Sequence, residues 1–126
     1  MARQDPVKVD PTHYKVEFEN RRVRVLRIRY GPREQSVMHW HPANVGVHLT
    51  AAHAQFTLPG GKTADLRVGA GEVRSYPAGE HLPENLSDQP FELVFIEGKP
   101  QAAAKKPAGR RTAAKRRVAK KSTRRR

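Results

Sequence analysis

Two histidines one residue apart, His39 and His41, with Trp40 between them and Pro42 after them, are the pair in this chain best spaced for chemistry. On an extended strand, residues i and i+2 share a face and stand roughly 6.7 Å apart. Both imidazoles can therefore converge on one point, which is the geometry of a metal clamp. Pro42 has no N–H to give to a strand ladder and biases His41 toward the extended region, so the pair belongs at a strand end, where loops open to solvent. A second stretch of interest follows at Pro77-Ala78-Gly79-Glu80-His81, with Asn85 shortly after it.

What else could assist is narrowed by composition. The chain has 126 residues, enough for one domain with a modest core. It has no cysteine, which excludes disulfides, thiolate zinc sites and a thiol nucleophile, so any metal must be held by nitrogen and oxygen. There is no apolar run of about 18 residues, and the start, Met1-Ala2-Arg3-Gln4-Asp5-Pro6, lacks the apolar stretch of a secretory signal. A soluble, cytoplasmic protein with no membrane partner is expected.

The net charge of +13 is unevenly placed. Residues 1–99 carry 13 of the 25 Lys and Arg and all 12 Asp and Glu, a balance of 13 − 12 = +1, whereas residues 100–126 carry 12 basic residues and no acid. The chain therefore reads as a nearly neutral body, residues 1–99, and a basic tail, residues 100–126.

The body must supply the strands that carry the clamp. Residues 1–11, with Pro6 and Pro11, read as an extended lead-in or edge strand. Residues 13–18 alternate, with Tyr14, Val16 and Phe18 on one face, as a half-buried strand does. Residues 22–30 alternate with a change of phase, which predicts a bulge or a bend at Val25-Leu26. Their arginines, Arg22, Arg24, Arg27 and Arg29, form either an anion-binding face or a solvated face paired with acids such as Glu17 and Glu19. Gly31-Pro32 turns the chain into the strand bearing His39 and His41.

Residues 45–50 and 53–58 alternate again, Pro59-Gly60-Gly61-Lys62 is a hairpin turn, and residues 63–68 return. The Gly60-Gly61-Lys62 run lacks the long loop and following helix of a phosphate cradle. After residues 73–76 and the Pro77-Ala78-Gly79 turn, residues 91–97 are apolar enough for a central strand. Eight or nine short strands with no helix before residue 100 predict an all-β sandwich or barrel.

At this point the residues resemble the cupin superfamily of small, RmlC-like jelly-roll barrels, also described as double-stranded β-helices. The first family motif, a Gly followed by His-x-His and later a Glu, is matched by Gly31, His39 and His41, with the Gly two residues further away than usual. The second is matched by Gly71, Pro77, Gly79, His81 and Asn85, with one residue rather than two between Gly79 and His81. The match spans residues 13–97. The family glutamate would fall at position 45 or 46, where this chain has Val45 and Gly46. The resemblance therefore implies a metal centre of three histidines, His39, His41 and His81, with no carboxylate. His48, sharing a face with position 46, is a candidate fourth ligand, or else a polar lining residue or one exposed on the opposite face.

Neutral imidazoles suit zinc, iron, copper or nickel, and a three-nitrogen site leaves positions open for water, dioxygen or substrate. The fold hosts enzymes, binders and regulators alike. The expected function is therefore binding of a small molecule at this centre, with oxygenase or isomerase chemistry as its catalytic form. Histidine ligation should weaken below a pH of about 6.

Glu80 and Glu84 flank His81 and are candidates for orienting it or serving as a base, or are rim carboxylates. Asn85 reads as a loop anchor through side-chain to backbone bonds, Trp40 as facing away from the histidines, and Tyr76 as a pocket wall. A homodimer through edge strands fits such barrels.

The tail cannot bury an apolar face and is expected to be disordered. Its basic residues, Lys105, Lys106, Arg110, Arg111, Lys115, Arg116, Arg117, Lys120, Lys121, Arg124, Arg125 and Arg126, resemble those of linker-histone tails. The alternative function is thus a non-enzymatic barrel held non-specifically on nucleic acid, nucleoid-associated, by counterion release. Without aromatic residues the tail has nothing to stack on single strands.

Overall fold

The computed structural model describes residues 3–101, and the tail from residue 102 onward, with its expected disorder, lies outside them. Nine strands follow one short helix: α1 (Pro6–Val9), β1 (Tyr14–Glu19), β2 (Val23–Tyr30), β3 (His39–His41), β4 (Asn44–His48), β5 (Ala52–Thr57), β6 (Thr63–Val68), β7 (Val73–Tyr76), β8 (Gly79–Asn85) and β9 (Phe91–Gly98). They form two antiparallel sheets, ordered β1-β2-β9-β4-β7 and β3-β8-β5-β6. This is the predicted jelly roll, with β9 at the centre of the larger sheet. No helix among the described residues is long and apolar enough to cross a membrane.

The core lies between the sheets and is built by alternation. Leu26, Ile28 and Tyr30 point inward from β2 and Phe91, Leu93 and Phe95 from β9, joined by Tyr14 and Ala54. The inward row of β9 continues one step further to Glu97, which is 2% exposed. In β4 the inward residues are Asn44, Gly46 and His48, while Val45 faces out. Turn chemistry is as expected at residues 58–62, where the Leu58 N–H donates to the Lys62 carbonyl at 2.7 Å and both Gly60 and Gly61 take φ of +92°, which glycine adopts without steric cost.

Three local expectations are corrected. Residues 6–9 form a helical turn and not an extended lead-in, because Asp5 caps it by accepting from the Val7 N–H at 3.0 Å and Pro6 occupies its first turn, a pairing that favours helix initiation. The bulge lies in β1, where the register slips between Val16 and Phe18 opposite Leu26 and Val25; the phase change read in one strand is accommodated in its partner. β1 is an edge strand of its sheet, and of its apolar residues Tyr14 alone is buried while Val16 and Phe18 are exposed.

Candidate metal centre

The short strand β3 owes its position to both neighbours. On one side it pairs with β8, setting His39 opposite His81 and Trp40 opposite Glu80. On the other, the Trp40 N–H donates to the Gln4 carbonyl at 2.8 Å, so the segment preceding α1 covers the edge. Alternation then sends His39 and His41 inward and Trp40 outward, where the Arg3 guanidinium lies 4.2 Å from its ring centre.

The three rings of His39, His41 and His81 stand edge to face, with centroids 4.8, 4.8 and 5.1 Å apart and planes between 83° and 88°. Each offers a nitrogen to a common space, and the three atoms lie within 4.8 Å of one another. The tautomers of two are fixed by what lies behind them. His39 Nδ1 donates to the Val37 carbonyl at 2.8 Å, with Ser36 Oγ a weaker second partner at 3.4 Å, and His41 Nδ1 donates to Glu97 Oε2 at 2.9 Å. A carbonyl and a carboxylate only accept, so each Nδ1 carries a proton and the two Nε2 atoms turn toward the common space. These Nε2 atoms stand 3.1 Å apart.

Burial, and next the charge of His41, push the His39 pKa down to about 4; burial, then His41 and His39, push that of His81 to about 2. At neutral pH His39 and His81 are therefore uncharged. His81 Nε2 is buried and without a hydrogen-bond partner among the described residues. Convergent ring nitrogens, two of them on rings anchored from behind, are what a nitrogen-binding transition metal requires. Two ligands of one metal at 2.0 to 2.1 Å lie roughly 3 Å apart, as these two do. The residues present thus fit the metal that the sequence anticipates. With His39 neutral down to about pH 4, proton competition at that ring begins well below the expected pH 6.

Glu97 is the residue that sequence reasoning missed. Its second oxygen accepts from Arg24 Nε at 3.1 Å, and Arg24 in turn forms a two-pronged pair with Asp5 at 3.0 and 3.1 Å. The signal was present in the alternation of β9, which carries the series Phe91, Leu93, Phe95 on to a carboxylate. Glu80 is exposed at the rim, and Glu84 is half-buried opposite Gln55; neither hydrogen-bonds a clustered histidine. Arg24 belongs to this inner network, while Arg27 pairs with Glu92 and Glu17.

His48 is buried and inward-facing but lies outside the three-nitrogen group; its Nε2 is 2.8 Å from the Tyr76 hydroxyl. Burial lowers its pKa. The place of the family glutamate is filled otherwise. A Cβ at Gly46 would stand 2.8 Å from Tyr76 Cε2 and 3.2 Å from Phe95 Cε1, so aromatic rings occupy the space of the lost carboxylate. Asn85 anchors its loop, donating to the carbonyls of Gly31 and Gln89 and accepting from the Ser87 N–H. The tail positions, Lys105 to Arg126, lie outside the described residues.

A cleft of about 200 Å³ opens above His41 and His81, walled by Phe56, Leu58, Tyr76, Pro77 and Phe95. Mostly apolar walls and an open mouth give a small molecule access to the histidines.

No family model matches the chain, and no curated protein matches its sequence. Solved structures do. A cupin domain from Bordetella pertussis Tohama I is 30% identical, with a TM-score of 0.64 over 69% of this chain and 92% of its own. A double-stranded β-helix protein from Klebsiella pneumoniae is 20% identical, with a TM-score of 0.55 over 68% and 74%. An RmlC-like cupin family protein from Methanocaldococcus jannaschii is 16% identical, with a TM-score of 0.53 over 71% and 83%. The last two share the fold; the first, at its identity and coverage, shows the family, and this chain belongs to the cupin superfamily.

Proposed function

We propose that the body of this protein, residues 1–99, binds a small molecule at a divalent transition-metal centre held by His39, His41 and His81. The observation that carries this reading is the convergence of the three imidazoles, with the Nε2 atoms of His39 and His41 3.1 Å apart and each of those two rings held by a donated Nδ1 proton. Zinc, iron, copper and nickel all suit such a donor set. A bound metal there would supply Lewis acidity, or redox chemistry if it is iron or copper, as oxygenase or isomerase reactions need.

The protein's own groups do the rest. Glu97 holds the His41 ring, the Val37 carbonyl holds His39, and Phe56, Tyr76 and Phe95 wall the cleft. Metal analysis of the purified wild type against His41→Ala tests the reading. About one metal per wild-type chain and a large loss in the variant are expected; a metal-free wild type, also unable to take up added zinc or iron, would sink it.

The charge division supports a second role. Twelve basic and no acidic residues in 100–126 suit non-specific nucleic-acid association in parallel with the barrel's function. Binding of duplex DNA by the full chain and by residues 1–99 across a salt series decides this: the full chain should bind more tightly with a steep salt dependence, and equal affinities remove the tail from the account.

A further inference from the structure

The outer face of the five-stranded sheet is apolar where a solvated sheet face is polar. Its registers align Phe18, Val25, Ile96 and Val45 in one row that crosses β1, β2, β9 and β4. The next row carries Val94, Val47 and Val73 across β9, β4 and β7. Phe18, Val45, Val73 and Ile96 are each between 37% and 59% exposed, and they are four of the eight large apolar side chains exposed among the described residues. Half of that set thus gathers on one face, whereas an ordinary surface scatters such residues singly.

The charges around these rows nearly balance, with Lys15, Arg27 and Arg29 on the outer positions of β1 and β2 against Glu17 and Glu92. Arg27 is held by Glu92 Oε2 at 2.7 Å and by Glu17 Oε1 at 3.5 Å. No field of one sign is offered to a charged partner. An identical face, by contrast, would bring apolar rows at its centre and ions at its rim, which is the anatomy of a protein interface.

The size suits a second copy. Five strands about 4.8 Å apart and three rows about 6.8 Å apart, the third being that of Arg29 and Glu92, cover roughly 500 Å² per chain. Two copies face to face would remove about 1,000 Å² from water, the area at which a specific interface begins. Pairing through strand edges has less to work with. The Gln4 carbonyl already takes the Trp40 N–H on the free side of β3, and β1 carries its bulge between Val16 and Phe18, both of which blunt an edge.

We propose that two copies of this chain form a two-fold dimer by packing the outer faces of their five-stranded sheets together, with β9 at the centre. Sheets stack in this way about 10 Å apart with their strands within about 30°. A contact of a face with itself closes at two copies and does not propagate. The dimer braces the site from behind, since β9 turns Ile96 outward and Phe95 and Glu97 inward. It is independent of whether the histidines hold a metal.

Sedimentation equilibrium of the full chain, freed of nucleic acid, from about 1 to 200 µM tests it. A monomer–dimer equilibrium is expected. Ile96→Lys sets like charges against each other in the middle of the contact and should weaken association by about 100-fold or more. Val73→Lys, at the border of the face, should weaken it by about tenfold. Val37→Lys, exposed in the loop before β3, should leave it unchanged.

A wild type that stays monomeric throughout the range overturns the proposal. So does a dimer that survives both Ile96→Lys and Val73→Lys, which would point to edge pairing, or one weakened as much by Val37→Lys. Association that continues past two copies overturns the closed face-to-face contact. Circular dichroism checks that each variant folds, and if Ile96→Lys does not, Val73→Lys against Val37→Lys decides.

Discussion

The two β3 histidines are anchored in different ways. Behind His41 stands a chain of charges, Glu97, Arg24 and Asp5, crossing from β9 to β2 to the N-terminal cap of α1. Behind His39 stands a backbone carbonyl, that of Val37, with Ser36 beside it bonded to Asp10, which also holds His13 Nδ1 at 2.7 Å. A carbonyl two residues away is supplied by the local chain path and survives almost any substitution. A buried carboxylate must be supplied by one residue and neutralised by another. The same demand, a proton on Nδ1, is thus met once by conformation and once by side-chain chemistry, and only the second is exposed to single mutations.

Glu97→Leu breaks the asymmetry most strongly. It removes the acceptor of His41 and one partner of Arg24, and metal affinity should fall by about 10- to 100-fold, as losses behind a ligating histidine do; competition with a chromophoric chelator measures it. Arg24→Gln comes next. It leaves the Glu97 carboxylate buried and poorly paired, which in comparable cases costs about 3 to 5 kcal/mol, so a clear fall in melting temperature is expected. An unchanged midpoint would mean that Glu97 needs no counter-charge.

The third effect is one of pH. Folded His39 and His81 have pKa values pushed below the ordinary 6.5, to about 4 and about 2, so the unfolded chain takes up protons first. The stability linked to them is complete above pH 6.5 and is lost as the pH falls from there toward 4 for His39 and lower for His81. Thermal unfolding of chelator-treated protein between pH 7 and 4 should show this decline, and His39→Leu should flatten it in part. The smallest effect belongs to Ser36→Ala. The Val37 carbonyl remains, so metal affinity should hardly move. A loss as large as that of Glu97→Leu would dissolve the contrast between the anchors.

Much of the fold was legible because alternation is a strong signal wherever one face is buried. Residues 22–30 announce their strand in this way, residues 91–97 theirs by an apolar run, and Pro59-Gly60-Gly61-Lys62 announces its turn. The His-x-His spacing placed two rings on one face from period alone, while His81 needed the motif resemblance, since no local rule tells which distant strand pairs with β3. Glu97 escaped because a charged residue at a strand end reads as solvated until the parity of the whole strand is followed inward.

Residues 44–48 were ambiguous for the opposite reason. The apolar set Val45 and Val47 looks like the core face, yet the inward set is Asn44, Gly46 and His48, because this end of the barrel interior is lined by the polar residues of the site. The helical turn at Pro6–Val9 had its signal in Asp5-Pro6, too short to compete with the extended reading of a proline-spaced segment.

Gly46 ties two positions together. The Cβ that any other residue would bring meets the Tyr76 ring at 2.8 Å, so the two sites share one volume and cannot both be large. Substitutions at them should be inherited as a pair. In relatives that keep the metal-binding glutamate at the position of Gly46, the position of Tyr76 should hold a small side chain, and a graft of glutamate into this chain should succeed only when Tyr76 is cut back in the same step.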